Sequence, residues 1–157
     1  RNNEGRVRIE IEGSTIRNAG EISGFDDVAA NVWIGGSQFP GNRMPAVGTY
    51  NVRITDSIVE GAGRSGLEFG DLSLLSEGRP EESEYEVVLR GNTIINNGDA
   101  EVMIYAPRAR IDARGNCWGR PEGLAEHRLR ILSPVVASQF DAKEPVSCGD
   151  DSSEPLN

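Results

Sequence analysis

Residues 85–94 read YEVVLRGNTI, and three other segments of the chain align with them without gaps. The four segments are VRIEIEGSTI from Val7, YNVRITDSIV from Tyr50, YEVVLRGNTI from Tyr85 and ARIDARGNCW from Ala109. Apolar residues occupy every second position of each segment before its turn, as Val87 and Leu89 do. A period of two predicts a β-strand with one buried face. The chain is therefore expected to repeat one β-strand unit four times.

Each predicted strand ends in the same kind of turn. The turn position holds Gly13, Asp56, Gly91 or Gly115, and the position after it holds Ser14, Ser57, Asn92 or Asn116. Two residues further on comes a bulky residue, which is Ile16, Val59, Ile94 or Trp118. The recurring Ser/Asn position predicts a ladder of stacked polar side chains, in which each side chain satisfies its neighbour in the next unit. Such a ladder is a structural device rather than a binding site.

The first three units continue beyond this turn. A second turn glycine follows at Gly20, Gly63 and Gly98, and a second short strand is predicted over Val32 to Ile34, Leu67 to Phe69 and Val102 to Tyr105. Segments rich in Gly, Pro, Ser and acidic residues read as surface loops, namely Glu21 to Ala30, Gly36 to Thr49 and Asp71 to Glu84. Only Gly123 to Leu132 has a helical signal, which predicts a short helix.

The stretch VVLRGNTIINNG from Val87 resembles the parallel β-helix repeats of the pectin-lyase-like superfamily. The ending RGNCWG from Arg114, with ILSPVV from Ile131, resembles the closing coil of exported members. The resemblance implies an all-β, right-handed parallel β-helix of about four coils, with loop insertions and a C-terminal capping tail. One domain is expected over residues 1–149, and residues 150–157 read as a disordered tail.

The superfamily contains lyases, hydrolases, epimerases, phage tailspikes and adhesins, so the resemblance implies a fold and no single activity. We expect a non-catalytic extracellular module of a larger exported protein, serving as a scaffold, adhesin or glycan-binding segment. The alternative is a fragment of a polysaccharide lyase or glycoside hydrolase. Hydrolysis needs two carboxyl groups about 5 to 9.5 Å apart. Glu10, Glu68 and Asp112, with Arg53, are candidates for such chemistry, and no motif ties them together.

Trp33 is the first candidate for binding a glycan. Alternation places Val32 and Ile34 inward, so Trp33 is predicted to point outward, in line with Glu68 and Met103. The flat apolar face of an exposed tryptophan suits the C–H face of a sugar ring. The alternative is that the loop around Phe39 folds over Trp33.

The outward positions of the first strands supply a second candidate. A row of arginines there would suit the carboxylates of acidic sugars: Arg53, Arg90 and Arg114. Acidic residues are predicted beside arginines on the same face, Glu10 beside Arg53 and Glu86 beside Arg110. The alternative is therefore a solvated face whose charges pair with one another.

The net charge of -9 excludes non-specific binding to nucleic acid or to an anionic membrane surface. No apolar run approaches the ~20 residues of a membrane span. Cys117 lies at the end of the last aligned segment and Cys148 in the tail, where a disulfide would fix the C-terminus; the alternative is two unpaired small apolar residues. A disulfide would favour an extracellular, cell-surface or periplasmic location. A polysaccharide or cell-surface glycan is the partner class that the charge leaves open.

No cofactor is expected apart from a candidate calcium ion. Two cysteines and the single histidine, His127, make a structural zinc site unfavourable. Asp26 and Asp27 are oxygen ligands of the kind that calcium binds. They lack the fixed loop spacing of a recognised calcium motif, so a solubilising role for their charge is the alternative.

A stack of parallel coils leaves an open strand edge at each end, and an open edge favours pairing with another chain. The tail that carries Cys148 is expected to cap the C-terminal end. The N-terminal end has no evident cap. We therefore expect either further coils before Arg1 or another chain covering Val7 to Ile11.

Overall fold

The structure is a computed structural model, and it describes residues 5–19, 30–35, 48–70, 82–132 and 139–148. Twelve strands lie within these ranges: β1 (Gly5–Glu12), β2 (Thr15–Arg17), β3 (Ala30–Ile34), β4 (Gly48–Thr55), β5 (Ile58–Glu60), β6 (Ser65–Phe69), β7 (Glu84–Arg90), β8 (Thr93–Ile95), β9 (Ala100–Ile104), β10 (Ala109–Asp112), β11 (Leu129–Ile131) and β12 (Gln139–Asp141). Most of the three expected loops, together with Asp26, Asp27, Phe39 and residues 150–157, lies outside the described residues.

The strands form three parallel sheets. The first sheet has the order β1-β4-β7-β10-β12, the second β2-β5-β8 and the third β3-β6-β9-β11. Strands β1 to β9 enter the first, second and third sheet in turn, three times over. In the first sheet Val52 lies beside both Ile9 and Val87, and Val87 lies beside Ile111. The all-β class, the parallel pairing and the predicted alignment of the four segments are thus confirmed.

The inward side chains of the three sheets meet in one buried cluster. Leu89 comes from the first sheet, Ile94 from the second and Phe69 from the third, and all three are fully buried. The rings of Tyr50 and Tyr85 stack with centroids 4.8 Å apart and planes 6° apart. Residues at equivalent positions of successive repeats therefore contact each other. The apolar face of each strand is buried by the strands of the neighbouring repeats.

One residue in the turn after each of β1, β4, β7 and β10 has a left-handed backbone conformation. Gly13, Asp56, Gly91 and Gly115 all have positive φ. At Gly91 a Cβ would lie 2.3 Å from Asp56 Oδ1, and the φ of 65° is one that L side chains rarely adopt, so glycine is favoured there.

The predicted polar ladder follows directly after this turn. Ser14 N donates to Ser57 Oγ at 3.1 Å, Ser57 N to Asn92 Oδ1 at 3.0 Å, and Asn92 N to Asn116 Oδ1 at 2.9 Å. Each side chain thus satisfies a backbone amide of the preceding repeat, as the sequence predicted.

A second polar ladder, which the sequence reading missed, lies at the next corner. Ala19 N donates to Asn31 Oδ1 at 3.0 Å, and Ala62 N donates to Asn97 Oδ1 at 3.1 Å. Asn31 Nδ2 also donates to Asn97 Oδ1 at 3.2 Å. The two asparagines lie at different distances from their repeat starts, because the insertions differ in length, so alignment of the repeats does not reveal them.

The C-terminal segment pairs with the end of the stack. Cys117 and Cys148 form a disulfide, as predicted, and β12 adds to β10 as a fifth strand of the first sheet. The predicted helix over Gly123 to Leu132 is wrong, since the structure has one 3-10 turn at Glu126–Arg128 followed by β11. Leu129 lies beside Val102 of β9, so the apolar edge of the third sheet determines this conformation. Among the described residues, no helix is both long enough and apolar enough to cross a membrane.

Candidate functional site

The outer face of the first sheet forms an open groove of about 670 Å³. Its lining is mainly the outward side chains of five neighbouring strands. Polar members include Arg8, Glu10, Asn51, Arg53, Glu86, Arg110, Asp112, Arg114, Gln139 and Asp141. Outward positions of successive strands lie in register. The groove therefore runs across all five strands of the sheet, and each strand contributes outward side chains to it.

Asp112 is held in the groove by two arginines. Its carboxylate accepts hydrogen bonds from Arg114 Nε and Nη2, both at 2.8 Å, and from Arg90 Nη1 at 2.7 Å. The hydrogen bonds from Arg114, and then those from Arg90, hold the pKa of Asp112 well below its usual range. Asp112 is therefore a fixed anion, and it is unsuited to donate a proton as a general acid.

Arg53 differs from Asp112, because no described residue forms an ion pair with it. Glu10 lies beside Arg53 in register, as predicted, but its carboxylate contacts Arg8 of the same strand at 2.5 Å. The other predicted pair, Glu86 with Arg110, is present at 3.4 Å. Arg53 is exposed and forms no ion pair or hydrogen bond within the part of the chain that the structure describes. It is thus a cation in the groove that remains free to bind a ligand.

The row of Trp33, Glu68 and Met103 exists as predicted, in register across β3, β6 and β9. Its exposure is not as expected. Trp33 is 44% exposed, whereas Glu68 is 4% exposed and Met103 is fully buried. The indole N–H of Trp33 donates to the Gly70 carbonyl oxygen at 2.9 Å, which fixes the ring. Glu68 and Met103 are thus not exposed in line with Trp33, and their expected position on the surface is wrong.

Local contacts explain why Glu68 is buried. Ser65 Oγ donates a hydrogen bond to Glu68 Oε1, and Arg64 Nε lies 3.6 Å from the same oxygen. Arg64 also donates to the Tyr105 hydroxyl. Burial, and secondarily the charge of Glu68, raises the pKa of Tyr105 to about 12. These groups form an interior cluster that compensates its own charges.

Met103 packs in a second, smaller apolar cluster. Its other members are Ala100 and Tyr105, with Leu132 packed against them. The Tyr105 hydroxyl also lies 3.4 Å from the Met103 sulfur. The outer face of the third sheet is thus partly buried, whereas strand alternation alone predicts a solvated face.

The candidate residues therefore belong to two separate faces. Arg53, Glu10 and Asp112 line the first-sheet groove, while Trp33 and Glu68 lie on the third sheet. The sequence reading missed Asp141 of β12, which lies beside Asp112 in register within the groove. No repeat pattern marks Asp141, because β12 follows the last aligned segment.

No metal centre is evident where the structure can be described. Within the described ranges, no group of three His, Cys, Asp or Glu residues is placed to hold a metal ion. His127 is exposed in the 3-10 turn, as expected for a surface residue. The calcium candidates Asp26 and Asp27 are outside those ranges.

Comparison of the chain with protein-family models, with curated proteins and with solved structures found no match.

Proposed function

We propose that the chain is a segment of a right-handed parallel β-helix of the pectin-lyase-like type, in which each repeat is one coil. Three parallel sheets entered in turn support this proposal, together with a left-handed residue in the turn after each of β1, β4, β7 and β10 and one core shared by all three sheets. Parallel crossover connections are right-handed in nearly all proteins, which supports the proposed handedness.

We further propose that the chain is a non-catalytic, glycan-binding module of an exported protein, and that the first-sheet groove is its binding site. The observation that carries this proposal is Arg53, an exposed cation in the groove that forms no ion pair with any described residue. A guanidinium group binds a carboxylate in bidentate geometry, so the preferred ligand is a glycan that contains acidic sugars. Uncharged side chains nearby, Asn51 and Gln139, suit sugar hydroxyls.

Two further observations support the rest of the proposal. The disulfide between Cys117 and Cys148 fits an oxidising compartment, as expected for an extracellular, cell-surface or periplasmic protein. Asp112 is fixed by two arginines, which favours a binding surface over an acid catalyst. Trp33 remains a separate candidate platform for a sugar ring on the third sheet.

A glycan array probed with the 157-residue chain tests this function. Arg53→Ala is expected to weaken binding of acidic glycans about 10-fold or more, because it removes a charged hydrogen-bonding group. Arg120→Ala is the matched control, since it removes an exposed arginine that does not line the groove. Trp33→Ala then shows whether the third sheet contributes. The absence of glycan binding, or binding that Arg53→Ala leaves unchanged, would contradict the proposed site.

One observation favours the alternative of a lyase or hydrolase fragment. Asp112 and Asp141 lie side by side on β10 and β12, and neighbouring strands are about 4.8 Å apart. Retaining glycosidases also use two neighbouring carboxyl groups, which lie about 5 to 5.5 Å apart. Release of reducing ends from a bound glycan, abolished by Asp141→Asn, would establish this alternative.

A further inference from the structure

The first strand of the first sheet, β1, has no other described strand on one of its two sides. β1 is the edge strand of the sheet and pairs only with β4 among the described strands. Val7 of β1 is 39% exposed, whereas Tyr50 and Tyr85, which follow it in the same inward row, are 9% and 0% exposed. The apolar face of β1 is thus incompletely covered, and this edge is the kind that pairs with another strand.

The backbone of β1 shows which residues face the open side. Gly13 N donates to Thr55 O at 3.1 Å, toward β4. In a parallel ladder, alternate residues direct both their N–H and their C=O groups to the same neighbour. Odd-numbered residues of β1 therefore face β4, and Arg6, Arg8, Glu10 and Glu12 direct their backbone groups to the open side. The Ser14 hydroxyl donates to one of these groups, Glu12 O, at 3.0 Å.

The sequence of this strand is self-complementary. Residues 6–12 read RVRIEIE, with two arginines followed by two glutamates and apolar residues between them. When two copies run antiparallel and are centred on Ile9, Arg6 faces the partner's Glu12 and Arg8 faces the partner's Glu10. Every outward charge then meets an opposite charge, which is the favourable cross-strand arrangement.

This register also pairs the backbone N–H and C=O groups of the two strands and keeps their apolar side chains on the inward face. Even-numbered residues face even-numbered residues, so the four charged pairs are hydrogen-bonded pairs with about eight backbone bonds in total. Val7, Ile9 and Ile11 stay on the inward face and extend the apolar row across the junction. A shift by two residues either way would oppose Arg8 to the partner's Arg8 or Glu10 to the partner's Glu10.

We propose that β1 is a self-recognition strand, and that two copies of the chain associate through antiparallel pairing of their β1 strands about a two-fold axis at Ile9. Such a contact uses the same surface on both copies, so it closes at a dimer. The dimer joins two stacks at their open ends and covers the exposed part of Val7.

A head-to-tail contact fits less well. The outward row that contains Glu10 continues through Arg53, Val88 and Asp112 to Asp141. Adding β12 of another copy to β1 in this row would place two acidic residues side by side, and β12 has three residues against the eight of β1. Charge and length both favour pairing of β1 with itself.

Sedimentation analysis of the 157-residue chain and two charge variants tests the proposal. The unmodified chain is expected to dimerise. R6E/R8E and E10R/E12R each place like charges opposite each other, so each is expected to weaken dimerisation about 100-fold. An equimolar mixture of the two variants restores opposite charges in all four pairs and is expected to restore the dimer. Arg120→Glu, an exposed charge reversal outside the first sheet, is the control and should leave the dimer intact.

Crosslinking tests the register. The two Ile9 residues would form a non-hydrogen-bonded pair with Cα atoms about 4.5 Å apart, which a disulfide can span. Ile9→Cys is expected to give a covalent dimer that a reductant separates, and Val52→Cys, in the same inward row one strand inside, is expected to give none. A monomeric unmodified chain, a variant mixture that stays monomeric, or no Ile9→Cys crosslink would each overturn the proposal.

Discussion

The first repeat and the repeats in the middle of the stack have nearly the same sequence pattern and very different burial. Ile11 of β1 is partly exposed, while Ile54 of β4 and Leu89 of β7, at the same inward position, are fully buried. The middle strands have a neighbour on each side, whereas β1 pairs with a single strand, β4, among the described residues. Burial in this fold therefore comes from the neighbouring repeats, and a strand's own sequence supplies only the apolar face.

Truncation of Ile54 and of Ile11, which occupy the same inward position, is expected to show the largest difference in stability between the two regions. Ile54→Ala is expected to lower the free energy of unfolding by about 4 kcal/mol, because it leaves a cavity in a closely packed core. Ile11→Ala is expected to cost about 1 kcal/mol, since its side chain is partly solvated in the monomer. Denaturant unfolding measured by circular dichroism at low protein concentration gives both values.

Ile11→Ala and Ile54→Ala also test the proposed dimer. Dimerisation would cover Ile11, so the cost of Ile11→Ala is expected to rise with protein concentration, whereas that of Ile54→Ala should not. Equal costs for the two variants at low concentration would contradict the view that neighbouring repeats determine burial.

The polar ladder gives a second, smaller contrast between the same regions. Asn92 in the middle accepts from Ser57 N at 3.0 Å and donates to Ile54 O at 2.8 Å, and it is buried. Asn92→Ala is expected to cost about 3 kcal/mol, because it leaves buried backbone groups without partners. Ser14→Ala at the open end is expected to cost about 0.5 kcal/mol, since its hydroxyl bond to Glu12 O is exposed. Thermal unfolding measures the difference, and similar costs would contradict the view that burial between neighbouring repeats determines what each ladder residue contributes.

The sequence predicted the fold better than the site, and particular residues show why. Val52 and Val87 could be aligned because a repeated pattern determines register, and the strands pair in that register. The second sheet was missed, although Val59 and Ile94 were recognised as core residues, because each of its strands has only three residues. Sequence periodicity identifies which face of a strand points inward. It does not show whether the opposite face is solvated or covered by other parts of the chain.

The site depended on contacts that no periodic pattern contains. Glu68 was expected on the surface, and its burial results from Ser65 and Arg64 in the same repeat. Arg53 was expected either to pair with Glu10 or to bind a ligand. Glu10 binds Arg8 instead, and no described residue forms an ion pair with Arg53. Which of two nearby arginines a glutamate contacts is decided by side-chain geometry rather than by sequence spacing.

Ion pairs are expected to give the smallest difference in stability between the first repeat and the later repeats. Arg8 and Glu10 pair within one strand of the first repeat, whereas Asp112 is bound by Arg90 and Arg114, which belong to successive repeats. Asp112→Asn is therefore expected to weaken the stack more than Glu10→Gln does at pH 7. The expected loss is less than about 1 kcal/mol, because the carboxylate of Asp112 is one-third exposed and solvent screens such pairs.

The pH dependence of this loss distinguishes an ionic contribution from simple loss of packing. The two arginines lower the pKa of Asp112 in the folded chain, while in the unfolded chain it stays near ~3.9. The stabilisation is thus fully present above about pH 5, and it decreases at lower pH because the unfolded chain binds a proton that the folded chain does not. The difference in unfolding free energy between the unmodified chain and Asp112→Asn should shrink as the pH falls from about 6 to about 2. A difference that stays constant over this range would mean that the arginines stabilise the stack through their packing rather than through the charge of Asp112.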